Sequence, residues 1–275
     1  MEIVEQFVRG KLYGDPDVCE DAIVVTAEHV AVIDGATDVS GRRYGNGAGG
    51  WWVMAACRDA VRRFPRDVDS YTAVAAMTAE LAARIDSTLS AAERPSAAVT
   101  VYSRARREIW QVGDVGFAYR GLPTSVGQPR KLVDQVAASF RAAVLAAEVA
   151  AGAISMDRLV QVDPGRLAAR ALTGRQGGLR NSTGPYAYAA IDGRPVPPSL
   201  VVVHPVPGDV DELVIASDGY PVIGETLAES ESTLALLLEK DPWCVADLAG
   251  TKGVLPGQVS FDDRAYLRVR GLGGR

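Results

Sequence analysis

Three residue types are scarce in this chain of 275 residues: two histidines (His29, His204), three cysteines (Cys19, Cys57, Cys244) and four lysines (Lys11, Lys131, Lys240, Lys252). An odd number of widely spaced cysteines, with no CxxC, excludes a disulfide framework, and two histidines outside any cysteine cluster exclude a Cys/His zinc site. The scarcity of lysine beside an excess of arginine and 41 alanines reads as a GC-rich coding bias and points to no function. Positive charge is also short, since 29 Lys and Arg face 34 Asp and Glu for a net charge of −5. A phosphate backbone needs a basic field, so no nucleic-acid partner is expected. Long apolar runs are missing too. The most hydrophobic stretch, 136–154, is broken by Arg141 and Glu148 and reads as an amphipathic helix, not a membrane span. The opening MEIVEQFVRG carries neither the basic nor the apolar region of a secretory signal, so a cytoplasmic protein is expected.

Hydrophobic residues make up 48% and charged residues 23%, the balance of an ordinary folded protein with a sizeable core. Residues 22–34 (AIVVTAEHVAVID) read as two strands about a turn at Glu28-His29, with an aspartate at the mouth. Helical patterns follow over 47–64 and from a Ser70 cap through Val74, Thr78, Leu81, Ile85 and Leu89. Residues 96–103, 108–112 and 115–120 read as strands joined too tightly for crossover helices, hence antiparallel. A long alanine-rich helix and a second short one over 129–173 lead into the glycine-rich cationic loop TGRQGGLRNSTGPY (173–186). Strands at 199–204, 212–216 and 264–270 and a helix over 226–239 complete an α+β chain with helices packed outside antiparallel sheets. No linker forces a boundary. The expectation is a single domain over 1–275, with 126–186 as a helical insertion or lid.

Aspartates recur at strand ends: Asp34 before Gly35, Asp114 after Gly113, Asp218 before Gly219, and Asp262-Asp263 before the last strand. One such aspartate only starts a turn, glycine permitting a positive φ. Several that converge would repel one another unless a hard divalent cation neutralised them.

The segments CEDA (19–22), AVIDGATD (31–38), QVGDVGFAYR (111–120), VIASDGY (214–220) and FDDRAYLRV (261–269), in this order, resemble the signature segments of the metal-dependent protein phosphatases of type 2C, bacterial members included. The resemblance implies a four-layer α-β-β-α sandwich of two antiparallel sheets flanked by helices. It implies two Mn²⁺ or Mg²⁺ ions, with Asp34 bridging them, Asp218 and Asp262 completing one, and Glu20, the Gly35 carbonyl and nearby Asp21 serving the other. All these donors are oxygen, which suits those ions. Water shared by two such ions supplies hydroxide near neutral pH for attack on phosphorus, with Asp34 and Asp218 as the catalytic acids. The implied substrate is phosphoserine or phosphothreonine in a protein. A small phosphorylated metabolite, enclosed by the lid, is the alternative, and a silent pseudophosphatase acting as a binding module is another.

The chain departs from the family's pattern at three places. Ala36 stands where many eukaryotic members carry a histidine, a candidate proton donor. GDPDVCED lacks the family's phosphate-binding arginine, leaving Arg42, Arg43 and Arg180 as candidates whose guanidinium forks match phosphate. Val222 replaces an acid of a third ion site that would include Asp114, so no third ion is expected.

Overall fold

The computed structural model describes residues 1–12, 18–36, 44, 48–120, 131–155, 158 and 162–272. Its strands are β1 (Glu2–Arg9), β2 (Asp21–Val25), β3 (His29–Gly35), β4 (Ala97–Ser103), β5 (Glu108–Val112), β6 (Gly116–Tyr119), β7 (Val202–Pro205), β8 (Glu212–Ala216) and β9 (Arg264–Arg270). The α-helices are α1 (Gly49–Val61), α2 (Ser70–Ala82), α3 (Leu132–Ala150), α4 (Pro164–Thr173) and α5 (Leu227–Lys240). The strands form two antiparallel sheets of order β2-β3-β4-β5-β7 and β1-β9-β8-β6.

Alternation along β3 explains the layering. Ala31 and Ile33 face α1 and α2, where they meet Val53, Cys57, Met77 and Leu81. Val30 and Val32 face the other way, onto Phe117, Ile215 and Leu267 of the second sheet. Both faces of the strand are therefore covered, which is why it reads as an unbroken apolar run and not as an alternation. The outer face of the second sheet is closed by α5, with Leu234 against Tyr220 and Tyr266. The fold is the α+β sandwich of two antiparallel sheets between helices.

Several local expectations shift. The strand β1 lies in the opening segment, where no strand is expected, and it pairs with β9 from Glu2 to Arg9 with one irregularity between Ile3 and Glu5. The β2–β3 turn falls at 26–28, because Thr26 Oγ1 accepts from the His29 amide at 2.9 Å and ends the turn there. Helix α2 is capped by Asp69, not Ser70, since Asp69 Oδ1 accepts from the amides of Tyr71 and Thr72 at 2.9 and 3.0 Å. It ends at Ala82, although Ile85 and Leu89 remain buried in the turns that follow.

The largest correction concerns residues 112–116. The strands β4 and β5 form the expected hairpin, but β6 leaves for the other sheet. Gly113 makes the turn at φ +92°, and a Cβ there would sit 2.5 Å from Ala98 Cβ. Thr100 Oγ1 and Gln111 Nε2 donate to the Val115 carbonyl at 2.7 and 2.8 Å, satisfying backbone that has left its ladder. Gly113→Ala is expected to lower stability by about 1–3 kcal/mol through strained φ and overlap, which a urea titration reads as a lower midpoint at unchanged slope.

Candidate active site

One end of the sandwich gathers the acids. Asp21 opens β2 directly opposite Asp34 near the end of β3, and strand parity turns both toward the gap between the sheets. From the second sheet, Ser217 and Asp218 follow β8, while Asp262 and Asp263 precede β9. Ser217 Oγ accepts from the Ala265 amide at 2.8 Å, locking these two strand ends together. The link between the sheets adds Asp114.

The glycines beside these acids act by size. A Cβ on Gly219 would lie 2.0 Å from the Asp263 carbonyl, and one on Gly35 would lie 2.4 Å from the Gly50 carbonyl. Neither has the positive φ expected of a turn-forming glycine. They let Asp218 approach the Asp262 segment and let Asp34 approach the start of α1.

Asp34, Asp218 and Asp262 are half-buried and line a cleft of about 370 Å³ with Gly35 and Asp114. Asp21, Glu20 and Asp263 lie deeper, 3–4% exposed. Asp263 fastens the floor, for its carboxylate accepts from the amides of Lys11 at 2.7 Å and Glu20 at 3.0 Å. Burial pushes the carboxyls of Asp21, Asp34 and Asp218 well above the usual range, and neighbouring carboxylates push the same way.

Residues that the sequence reading passed over divide this acid cluster. Lys11 Nζ reaches Glu20 Oε2 at 3.3 Å, Asp262 Oδ1 at 3.1 Å and Asp263 Oδ2 at 3.2 Å. Lys252 Nζ pairs with Asp262 Oδ2 at 2.8 Å, and Lys131 Nζ with Asp114 Oδ2 at 2.8 Å. Burial alone would raise the Asp262 carboxyl, but the ammonium groups of Lys252 and Lys11 prevail and hold it below the ordinary range. Among the described residues, no cationic nitrogen forms an ion pair with Asp21, Asp34 or Asp218. The available signal was scarcity: three of only four lysines in the chain stand at this site.

Two further segments wall the cleft. Arg166, Arg170 and Thr173 of α4 line it from one side, and Thr251 and Lys252 from another. Arg180 borders an adjoining pocket, where its Nη1 donates to the Arg94 carbonyl at 2.8 Å and lies 3.6 Å from Asp192 Oδ2. The structure does not bring it among the acids. Arg42 and Arg43 lie outside the described residues. His29 and His204 sit in strands, His29 against Phe64 and Trp110 and His204 bonded to Gln111 Oε1 at 3.1 Å.

No protein-family model and no curated protein matches the sequence. Solved structures do. The serine/threonine phosphatase Stp1 from Staphylococcus aureus superposes with a TM-score of 0.50 at 11% identity, over 100% of this chain and 96% of that one. The chain has the type 2C phosphatase fold. The phosphatase PstP/Ppp of Mycobacterium tuberculosis is similar at 15% identity and a TM-score of 0.48, over 96% of each chain. A further bacterial serine phosphatase is similar at 11% identity and a TM-score of 0.49, over 100% of this chain and 99% of that one. Among the described residues, no helix is long and apolar enough to cross a membrane.

Proposed function

We propose that this chain belongs to the type 2C family and is a phosphoric monoester hydrolase that works with bound Mn²⁺ or Mg²⁺. The observation that carries the proposal is the convergence of Asp21, Asp34 and Asp218, with which, among the described residues, no lysine or arginine is paired. Asp21 Oδ2 is buried with no hydrogen-bond partner, and three crowded carboxylates with no directly paired cation among the described residues are costly. An all-oxygen set of this kind fits a hard divalent cation. When bound, such a cation acidifies water and offsets charge on phosphoryl oxygens.

The residues of the chain divide the remaining work. Asp34 and Asp218, open to the cleft, would hold the ion, with Glu20, Asp262 and the Gly35 carbonyl as the other candidates at the same end. Asp21 adds charge from beneath. Arg166 and Arg170 of α4 line the cleft and are, with Arg42, Arg43 and Arg180, candidates to orient phosphate. Phosphoserine or phosphothreonine in a protein is the substrate by resemblance. We further propose that α3, α4 and the 241–253 segment, tied together by four hydrogen bonds from Arg141, act as a cover, and such a cover favours a second reading, a small phosphorylated metabolite.

An aryl phosphate assay tests the proposal. Turnover with Mn²⁺ that is abolished by chelator supports it; turnover indifferent to chelator refutes the cation, and a folded, metal-loaded but inert protein indicates a pseudophosphatase. Phosphopeptides set against sugar and nucleotide monophosphates then separate the two substrate classes.

A further inference from the structure

We propose that the ammonium groups of Lys11 and Lys252 stand in for one of the two divalent ions, so that this protein binds a single divalent cation, at Asp34 and Asp218. The inference rests on the metal-dependent reading above and departs from the two-ion expectation drawn from the resemblance.

The cluster is uneven in its compensation. Glu20 and Asp262, each assigned by resemblance to a different ion, both carry Lys11 Nζ, at 3.3 and 3.1 Å, and Asp262 carries Lys252 Nζ as well. Asp34 and Asp218 carry neither. Lys11 is also delivered by its backbone: its amide donates to Asp263 Oδ1 at 2.7 Å, and its carbonyl accepts from the Val259 amide at 2.9 Å. The adjoining Leu12 forms a bridge with Gln258. A lysine so anchored, with a side chain only 11% exposed, loses little entropy in holding its ammonium on the acids. Lys252 comes from a different segment, 241–253, whose carbonyls are gripped by Arg141.

Two cations cannot share the same carboxylate oxygens at short range without strong mutual repulsion. Lys11 therefore disfavours a divalent ion on Glu20 and Asp262, Lys252 disfavours one on Asp262, and together they relieve the repulsion that such an ion would otherwise relieve. On the Asp34–Asp218 side the nearby ammonium, that of Lys131, is paired with Asp114 at 2.8 Å, and among the described residues no cation is paired with Asp34 or Asp218 themselves, so that side keeps its need for one. In a chain that uses arginine almost everywhere else, lysine fits this place because an ammonium is a compact point charge, while a guanidinium is a broad planar fork.

Titration of the metal-free protein with Mn²⁺ by calorimetry, alongside electron paramagnetic resonance, tests the inference without an activity readout. The wild type should bind one ion per chain and show an uncoupled Mn²⁺ signal. The double variant Lys11→Met/Lys252→Met should gain a second ion, tightened at least about tenfold over any weak second event in the wild type, and show spin coupling between the two ions. A wild type that binds two spin-coupled ions overturns the inference while leaving the metal-dependent reading intact, and so does a folded double variant that remains at one ion. No Mn²⁺ binding by any form overturns the metal-dependent reading, and the inference with it. The wild-type stoichiometry needs no variant, so a double variant that does not fold leaves the inference open to refutation.

Discussion

Asp34→Asn should reduce kcat/KM for an aryl phosphate in Mn²⁺ by at least about a thousand-fold, roughly 4 kcal/mol, and should also raise the unfolding temperature measured in chelator. The two effects have one origin. Asp34 is half-buried, faces Asp21 across the β2–β3 ladder and lies among Asp114, Asp218 and Asp262. Directly opposed like charges destabilise a sheet, and burial together with these neighbours lifts the Asp34 carboxyl well above its ordinary value. A raised folded-state value means that the carboxyl costs no stability below the unfolded-state value near pH 4, costs progressively more as pH rises from there toward the folded-state value, and levels off above it. The metal-free wild type should therefore be least stable at high pH and recover as the solution is acidified toward pH 5, and Mn²⁺ should remove most of that trend. Asn has nearly the same shape without the charge, so the variant should show a flatter profile and an unfolding temperature higher by roughly 2–4 °C per kcal/mol recovered. Calorimetric scans at pH 5, 7 and 8.5, with and without Mn²⁺, read the result. A variant that loses activity and stability together would mean that Asp34 is held by compensating contacts and not kept in readiness for an ion.

Arg141→Met should lower global stability by about 3–5 kcal/mol, the cost of uncovering a buried ionic partner. Arg141 is 2% exposed. Its Nε donates to Asp163 Oδ2 at 2.8 Å, Nη1 to the carbonyls of Cys244 and Gly250 at 2.8 and 3.1 Å, and Nη2 to the Trp243 carbonyl at 2.8 Å. Methionine fills much of the volume but leaves these acceptors unpaired. Asp163 also caps α4 by accepting from the Arg166 amide at 2.7 Å, so its loss of a partner loosens the helix that carries Arg166 and Arg170 over the cleft. Close packing adds to the effect, since a Cβ on Gly165 would lie 2.4 Å from the Arg141 carbonyl. Hydrogen exchange should quicken first in 132–173 and 241–253, while β3, β4, β8 and β9 keep their protection. Unchanged exchange in the cover would show that α3 and α4 are held by their apolar contacts alone.

Much of the architecture was legible along the chain because local chemistry announces it. Apolar runs of four to seven residues, glycine-aspartate punctuation and helical periodicity marked β2 to β9 and the five α-helices of the described residues within a few residues. β1 escaped because its exposed and half-buried residues alternate too weakly for a pattern of period two, and only pairing with β9 makes it a strand. Partner choice was equally hidden. Nothing in QVGDVGFAYR says that β6 abandons β5, since that depends on Gly113 finding its place on Ala98.

The site divides in the same way. That aspartates followed or preceded by glycine stand at strand ends was written in the chain, because strand runs and Asp-Gly punctuation are local. That Gly35 and Gly219 are required by size and not by a positive φ emerged from the packing, and so did the neutralisation of some of those acids by lysines. Lys11, Lys131 and Lys252 lie between 9 and 251 positions along the chain from their partners Glu20, Asp114 and Asp262, and no motif joins them. An ion pair depends on distance in space, and that distance is set when two sheets close face to face and bring a β1 exit, a helix start and the 241–253 segment to one end.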